Sequence, residues 1–276
     1  MKEKNTNEKH KASKFIIFFR IICLLVIIYC LIYIYRWHIE NKKSANLLNK
    51  IADSSILDTT TIQIPITEES TDESSSSEPL DATTNTAEIT TYTLDFNNLL
   101  SLNNSTVGWI SVPNTSVNYP AVQHSDNKFY LNHSFDKSYN KAGWIFADYR
   151  NKFDGSDKNI ILYGHNRLDS SMFATLTNTQ KSYWYTNPNN KYITFTTPTN
   201  TNIYEIFSVY TIKSESYYLT TYFENDDAYL KFLDTLKNRS IYNFGVSLNA
   251  DDNILTLSTC DSSGKSRVIV HAKKIY

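Results

Sequence analysis

Cysteine is scarce here. Of the three in 276 residues, Cys23 and Cys30 fall inside an apolar N-terminal run, so Cys260 alone belongs to the rest of the chain. A lone cysteine forms no internal disulfide. Outside the cytoplasm it is either a reactive thiol or a buried, inert hydrophobe, and the count leaves both open. Metal ligands are equally thin. Cys260 and the six histidines (His10, His38, His124, His133, His165 and His271) show no set of three or four at short spacing, so a zinc site is not expected. No carboxylate loop of the EF-hand kind is present, so calcium dependence is not expected either. There is no G-x-S-x-G elbow, no phosphate loop and no G-x-G-x-x-G fingerprint, which removes serine hydrolases of that type and the nucleotide-binding classes. A formal net charge of -1 offers nothing to nucleic acid. No internal repeat is visible, and no cofactor is expected. The closing Lys273-Lys274-Ile275-Tyr276 carries no apolar tail of the kind a wall-sorted protein would need.

What charge there is falls in three blocks. Residues 1–51 hold ten bases and three acids, residues 52–96 hold ten acids and no base, and the remainder is near neutral with 17 bases and 15 acids. Within the basic head, residues 15–35 are apolar apart from Arg20. A helix needs roughly 20 such residues to cross the hydrocarbon core of a bilayer. The run ends Tyr33-Ile34-Tyr35-Arg36-Trp37, which suits an interfacial aromatic belt and makes a poor cleavage site. Residues 1–14 are therefore read as a basic cytoplasmic tail, and 15–35 as an uncleaved single-pass anchor with the body outside. Residues 37–51 can continue as a helix. From residue 52 to about 92 the Ser/Thr/acid-rich composition lacks apolar surface to bury, and an extended spacer without a fold of its own is expected. The body then runs from 93 to 276.

In the body the texture changes to short apolar or alternating runs between turn signals, at 107–112, 117–122, 143–147, 159–163, 192–196, 203–210, 254–259 and 267–275. That pattern predicts a mostly-β barrel or sandwich with added helices. One segment breaks the rhythm: Tyr229, Phe232, Leu233 and Leu236 recur at helical spacing over 226–237, behind Asn225 as an N-cap and Asp226 and Asp227 in the first turn.

The last two strands carry the chemistry. Residues 253–259 and the run from Arg267 to His271 read as strands joined by a polar turn. Paired antiparallel, they bring Cys260 and Arg267 to the same end of one hairpin. A thiol beside a fixed positive charge is a poised nucleophile, because the charge favours the thiolate. The proton partner with the most telling context is His165, directly after the strand and glycine Asn159-Ile160-Ile161-Leu162-Tyr163-Gly164. Strand ends are where rigid scaffolds display working groups. His124 and His133 read as satisfied surface residues. His271 shares by alternation the face of Arg267 and is read as supporting the site. Ser258, two residues before Cys260, is a candidate substrate contact, and Asp261 is read as a loop residue. A thiolate attacking a carbonyl, an imidazolium protonating the leaving amine and a guanidinium meeting the oxyanion are compatible roles. At reference values of about 8.5 for Cys and 6.5 for His, few molecules near neutral pH carry both charged partners, so slow turnover is expected.

The combination Tyr163-Gly164-His165, Thr256-Leu257-Ser258-Thr259-Cys260 and Arg267 resembles the sortase signature, and residues 95–276 as a whole resemble class B sortases. Val107-Gly108-Trp109-Ile110, Tyr119-Pro120-Ala121-Val122-Gln123, residues 126–131 and Gly143-Trp144-Ile145-Phe146 support the likeness, as does the helix at 226–238 ahead of the cysteine strand. The resemblance implies a closed eight-stranded β-barrel and a cysteine transpeptidase working through Cys260, His165 and Arg267, and it offers Asp261 an alternative role in orienting the histidine. It would cut a sorting motif after threonine in secreted proteins and transfer the acyl group to a cell-wall amine. The partners implied are sorting-signal peptides, the peptidoglycan precursor amine and, through 15–35, the membrane. Two other readings remain at this point. One is a papain-like wall peptidase, which would normally set its Cys at a helix N-terminus with His downstream. The other is a non-catalytic surface β-domain.

Overall fold

A computed structural model describes residues 2–65, 86–213, 215–260 and 266–276, without the side chains of residues 2–14 and Cys260. Helix α1, Lys2–Ser55, takes in the apolar run and continues four residues past residue 51. Its stretch Phe15–Ser55 is the one helix among the described residues that is long and apolar enough to cross a membrane. The chain divides into two compact units, residues 1–46 and 47–276.

The second unit opens on a feature the composition does not predict. Strands β1, Ile56–Pro65, and β2, Thr86–Leu94, pair antiparallel as a separate two-stranded sheet. The expected spacer without structure is therefore corrected at residues 52–65 and 86–92; residues 66–85 lie outside the described part. The physical reason is local. Both strands are rich in β-branched residues, which suit a pleated surface. Ala87 and Ile89 are buried, with Ile62 and Ile64 packed beside them, against Tyr192 and Ile203 of the barrel. Helix α2, Phe96–Leu102, follows, capped by Asp95, whose Oδ1 accepts from Asn98 N at 3.0 Å.

The barrel strands are β3 Thr106–Ser111, β4 Asn118–Gln123, β5 Phe146–Ala147, β6 Asn159–His165, β7 Tyr192–Thr196, β8 Thr201–Lys213, β9 Ile254–Cys260 and β10 Ser266–Lys274. They close in the order β10-β8-β7-β3-β4-β5-β6-β9. The pairs β4–β5 and β6–β9 are parallel and the other barrel pairs are antiparallel. All eight predicted runs are these strands, with ends moved by a few residues. A short helix α3, Ser182–Tyr185, precedes β7, and α4, Asp226–Asn238, lies between β8 and β9. Asn225 caps α4 as its position predicts, accepting from Ala228 N at 2.9 Å. The helix buries Tyr229, Leu233 and Leu236. The core is aromatic-rich: Trp109, Trp144, Trp184, Phe195 and Phe207 are all fully buried. The indole N–H groups find acceptors, as buried ones must: Trp144 Nε1 donates to Pro120 O and Trp184 Nε1 to Pro113 O.

Candidate active site

Three neighbouring strands carry the sequence-predicted residues. In the parallel pair β6–β9, Tyr163 stands opposite Ser258, Gly164 opposite Thr259 and His165 opposite Cys260. Adjacent strands lie about 4.8 Å apart, so His165 and Cys260, 95 positions apart in sequence, occupy side-by-side positions at the same end of two strands. On the other side of β9, the last paired residues are Ser258 and Ile269. Cys260 and Arg267 each lie two residues further toward the connecting loop. Asp261 lies outside the described residues.

His165 is the final residue of β6, not one past its end, and its ring is held. Nε2 lies 2.7 Å from the carbonyl of Leu131. A carbonyl only accepts, so Nε2 carries hydrogen and Nδ1 is the nitrogen left to gain and lose a proton. Two glycines let the surroundings come this close. A Cβ on Gly164 would meet the Phe173 ring at 2.6 Å. Gly143 has φ +62°, and a Cβ there would sit 2.7 Å from Tyr130 O, 2.8 Å from Leu131 O and 2.9 Å from His165 Cδ2.

Leu131 belongs to a segment pinned from below by Asp148, whose side chain is fully buried. Arg150 grips it in a fork, Nε to Oδ1 and Nη2 to Oδ2, both at 2.8 Å. Tyr163 Oη donates to Oδ2 at 2.7 Å and Asn127 Nδ2 at 2.9 Å. Burial pushes the Asp148 pKa up, but these bonds outweigh it and hold the carboxyl below its usual range. Burial, reinforced by the Asp148 charge, pushes the Tyr163 phenol far up, so it stays a donor. Phe129, just before Leu131, is stacked between His124 and His133, at 4.4 and 4.0 Å between ring centroids. Those two histidines thus pack the segment, as partly exposed residues.

Arg267 is half-buried and its Nη1 donates to Tyr218 Oη at 3.1 Å. That phenol is fully buried and also lies 3.0 Å from Ser258 Oγ. Ser258 is itself only 3% exposed, so its hydroxyl is engaged inside the barrel. His271 is completely buried, with Nδ1 and Nε2 bonded to Thr256 and Tyr210. No group of three or more His, Cys, Asp or Glu able to hold a metal occurs among the described residues. Sequence reasoning singles out neither Tyr218 nor the Asp148–Arg150 pair. Leu131 enters it only within the stretch 126–131. The doubled Tyr217-Tyr218 after β8 is the one local signal for the first of these, and it carries no periodicity.

Comparison with known proteins agrees with this geometry. The sortase domain family matches residues 110–275. Sortase B of Staphylococcus aureus is 38% identical over 183 residues, covering 65% of this chain and 74% of that protein. The structure of the Staphylococcus aureus sortase B–substrate complex superposes with a TM-score of 0.62 at 38% identity, over 65% of this chain and 84% of that one. A sortase B complexed with triglycine superposes with a TM-score of 0.62 at 38% identity, over 65% of this chain and 85% of that one. A family match across the barrel, relatives of the same class, and a closed eight-stranded fold that seats a cysteine beside a histidine lead to one assignment: the chain belongs to the sortase family of cysteine transpeptidases, in class B.

Proposed function

We propose that this chain is a membrane-anchored sortase whose nucleophile is Cys260, whose proton carrier is His165 and whose oxyanion donor is Arg267. The observation that carries the reading is the parallel register that sets His165 against Cys260, with Arg267 on the next strand. The Cys260 thiolate attacks the carbonyl carbon of a threonine in a sorting motif, and the negative charge that develops on oxygen meets the Arg267 guanidinium. As the tetrahedral adduct collapses, the Thr C–N bond breaks and imidazolium Nδ1–H of His165 protonates the leaving amine. A thioester on Cys260 remains. An incoming amine then attacks it, gives its proton to His165, and the thiolate leaves. The relatives solved with a substrate and with triglycine support a peptide donor and an amine acceptor for this chain. The apolar helix and the basic residues ahead of it support a single-pass anchor with its N-terminus in the cytoplasm; with the barrel thus on the wall side, the acceptor in this reading is a wall-precursor amine. Among the candidates around it, Ser258 acts through Tyr218, since its hydroxyl is already bonded there. Asp261 is left as a loop residue.

The test is intact mass spectrometry of the full chain in detergent micelles, incubated with a library of threonine-containing peptides. The expected result is a mass increment equal to a peptide fragment ending in Thr, present in the wild type and absent in Cys260→Ala. Addition of a glycine peptide should discharge it. A folded protein whose thiol still alkylates, yet which forms no adduct across the library, would count against the reading.

A further inference from the structure

Five polar side chains, four buried in the barrel (Tyr210, His271, Thr256 and Asn159) and one, Tyr217, half-buried, take no part in the chemistry above, and they are joined in one line. Tyr217 Oη donates to Tyr210 Oη at 2.9 Å. Tyr210 Oη lies 2.9 Å from His271 Nε2, and His271 Nδ1 lies 2.9 Å from Thr256 Oγ1. Thr256 Oγ1 donates to Asn159 Oδ1 at 2.7 Å. Asn159 Nδ2 donates to the carbonyls of Tyr218 and Thr220, at 3.2 and 2.9 Å. Proton count gives every bond its direction. Two carbonyls can only accept, so the Asn159 amide nitrogen faces them and its oxygen faces Thr256. Thr256 has one proton and gives it to that oxygen, so His271 Nδ1 must carry hydrogen. Burial holds this imidazole neutral, with its pKa pushed down to about 3. Nε2 is therefore bare and accepts from Tyr210, whose oxygen in turn accepts from Tyr217. The line runs head to tail through the barrel and returns to the short segment it left, residues 217–220.

That segment presents Tyr218, whose phenol bonds Arg267 at 3.1 Å and Ser258 at 3.0 Å. A further tie comes from Arg150, whose Nη2 donates to Leu219 O at 2.8 Å. Burying four polar groups where apolar ones of similar shape would pack as well has a cost, so the line needs a reason, and what it holds supplies one. We infer that the His271-centred hydrogen-bond circuit positions Arg267: it fixes residues 217–220, and through them the phenol oxygen that anchors the guanidinium. His271 is then a positioning residue. An arginine side chain carries about 2 kcal/mol of rotamer entropy, and a fixed acceptor on Nη1 removes part of that ordering from the moment when the fork must meet an oxyanion. The inference rests on Arg267 serving the oxyanion as proposed above.

The experiment is single-turnover acylation of the full chain in detergent, followed by intact mass, with thermal unfolding recorded for each variant. His271→Phe removes the donor and acceptor and keeps bulk. It is expected to slow acylation about tenfold to a hundredfold, the range a small misplacement causes, with little change in the peptide concentration at half-maximal rate. His271→Gln keeps one donor and one acceptor and should recover most of that loss. Tyr217→Phe deletes a single half-buried hydroxyl and serves if the His271 variants do not fold; it should slow acylation with the unfolding temperature nearly kept. In an Arg267→Ala background the same substitutions should cost nothing further, which a merely structural role would not produce. Full acylation rates in folded Tyr217→Phe and His271→Phe, or equal losses with and without Arg267, would overturn the inference. An Arg267→Ala enzyme as fast as the wild type would instead overturn the reading of the site on which it rests.

Discussion

The carbonyl of Leu131 decides which nitrogen of His165 carries hydrogen, and Gly143 decides whether that carbonyl can be there. At φ +62° any other residue carries left-handed strain, and here its Cβ would also press on Tyr130 O, Leu131 O and the imidazole itself. Gly143→Ala is expected to destabilise by about 2 kcal/mol or more and to slow acylation, because the backbone that must yield is the one holding His165. Gly155→Ala is the control. Its φ is +90°, but nothing lies within 4 Å of the added methyl, so thermal unfolding should shift while the acylation rate stays. Charge at the residue scale gives a second expectation, this time for pH. His271 is neutral in the fold with its pKa near about 3, against about 6.5 in the unfolded chain. As pH falls below 6.5 the unfolded state takes up a proton that the folded state refuses. The contribution of His271 is therefore whole above about 6.5 and is lost progressively down to about 3, at up to about 1.4 kcal/mol per pH unit. The groups around the ring (Thr256, Tyr210, Tyr218 and Phe207) are uncharged throughout that window, so none of them offsets the loss. Denaturant titrations at pH 7.5 and 5.5 should show the wild type losing about 1.4 kcal/mol more than His271→Gln. Equal losses would mean that this histidine titrates in the fold.

At the scale of elements, the eight barrel strands are legible in sequence because each couples an apolar or alternating run to turn residues on both sides, as Tyr192–Thr196 and Ile254–Cys260 do. Helix α4 is legible for the same reason at the other period, with its cap. The β1–β2 sheet is not. Most of β1 is exposed, so no alternation marks it, and its Thr-rich acidic surroundings look like a spacer. Its burial depends on Tyr192 and Ile203, more than 90 residues downstream, and no local window contains them. The site divides along the same line. Residue types and order single out Cys260, His165 and Arg267, because reactive chemistry needs those types. Their adjacency comes from a parallel pairing across four intervening elements, α3, β7, β8 and α4, and that pairing is not local information. The supports of the site, Leu131 O, Gly143, Asp148 with Arg150 and the Tyr217–Asn159 line, are ordinary residues whose meaning lies wholly in what they touch.

For the whole molecule the consequence is a division of stability. The barrel closes on itself, β9 to β10, without a strand of the N-terminal sheet, and it carries the main aromatic and aliphatic core beside the polar line described above. The β1–β2 sheet stands outside that closure and shares a small second cluster with it: Ala87 and Ile89 are buried against Tyr192 and Ile203 of the barrel, with Ile62 and Ile64 beside them. Two-stranded sheets are marginal in water, and regions with few buried apolar contacts open at lower free energy than the core they rest on. Amide hydrogen exchange of the full chain in micelles should therefore separate the two. The amides of residues 56–64 should exchange through local opening, orders of magnitude sooner than those of Asn159–His165 and Ile254–Cys260, which wait for the barrel to unfold. Mild denaturant should accelerate the barrel strands and leave the hairpin rates nearly unchanged, because a small opening exposes little surface. The Cys260 adduct should also form at its full rate in Ile89→Ala, which loosens the hairpin without touching β6, β9 or β10. If instead β1 is as protected as β9, and both respond to denaturant with one slope, then the hairpin is part of the barrel's cooperative unit, and the sheet that composition hides is as much the fold as the strands that composition reveals.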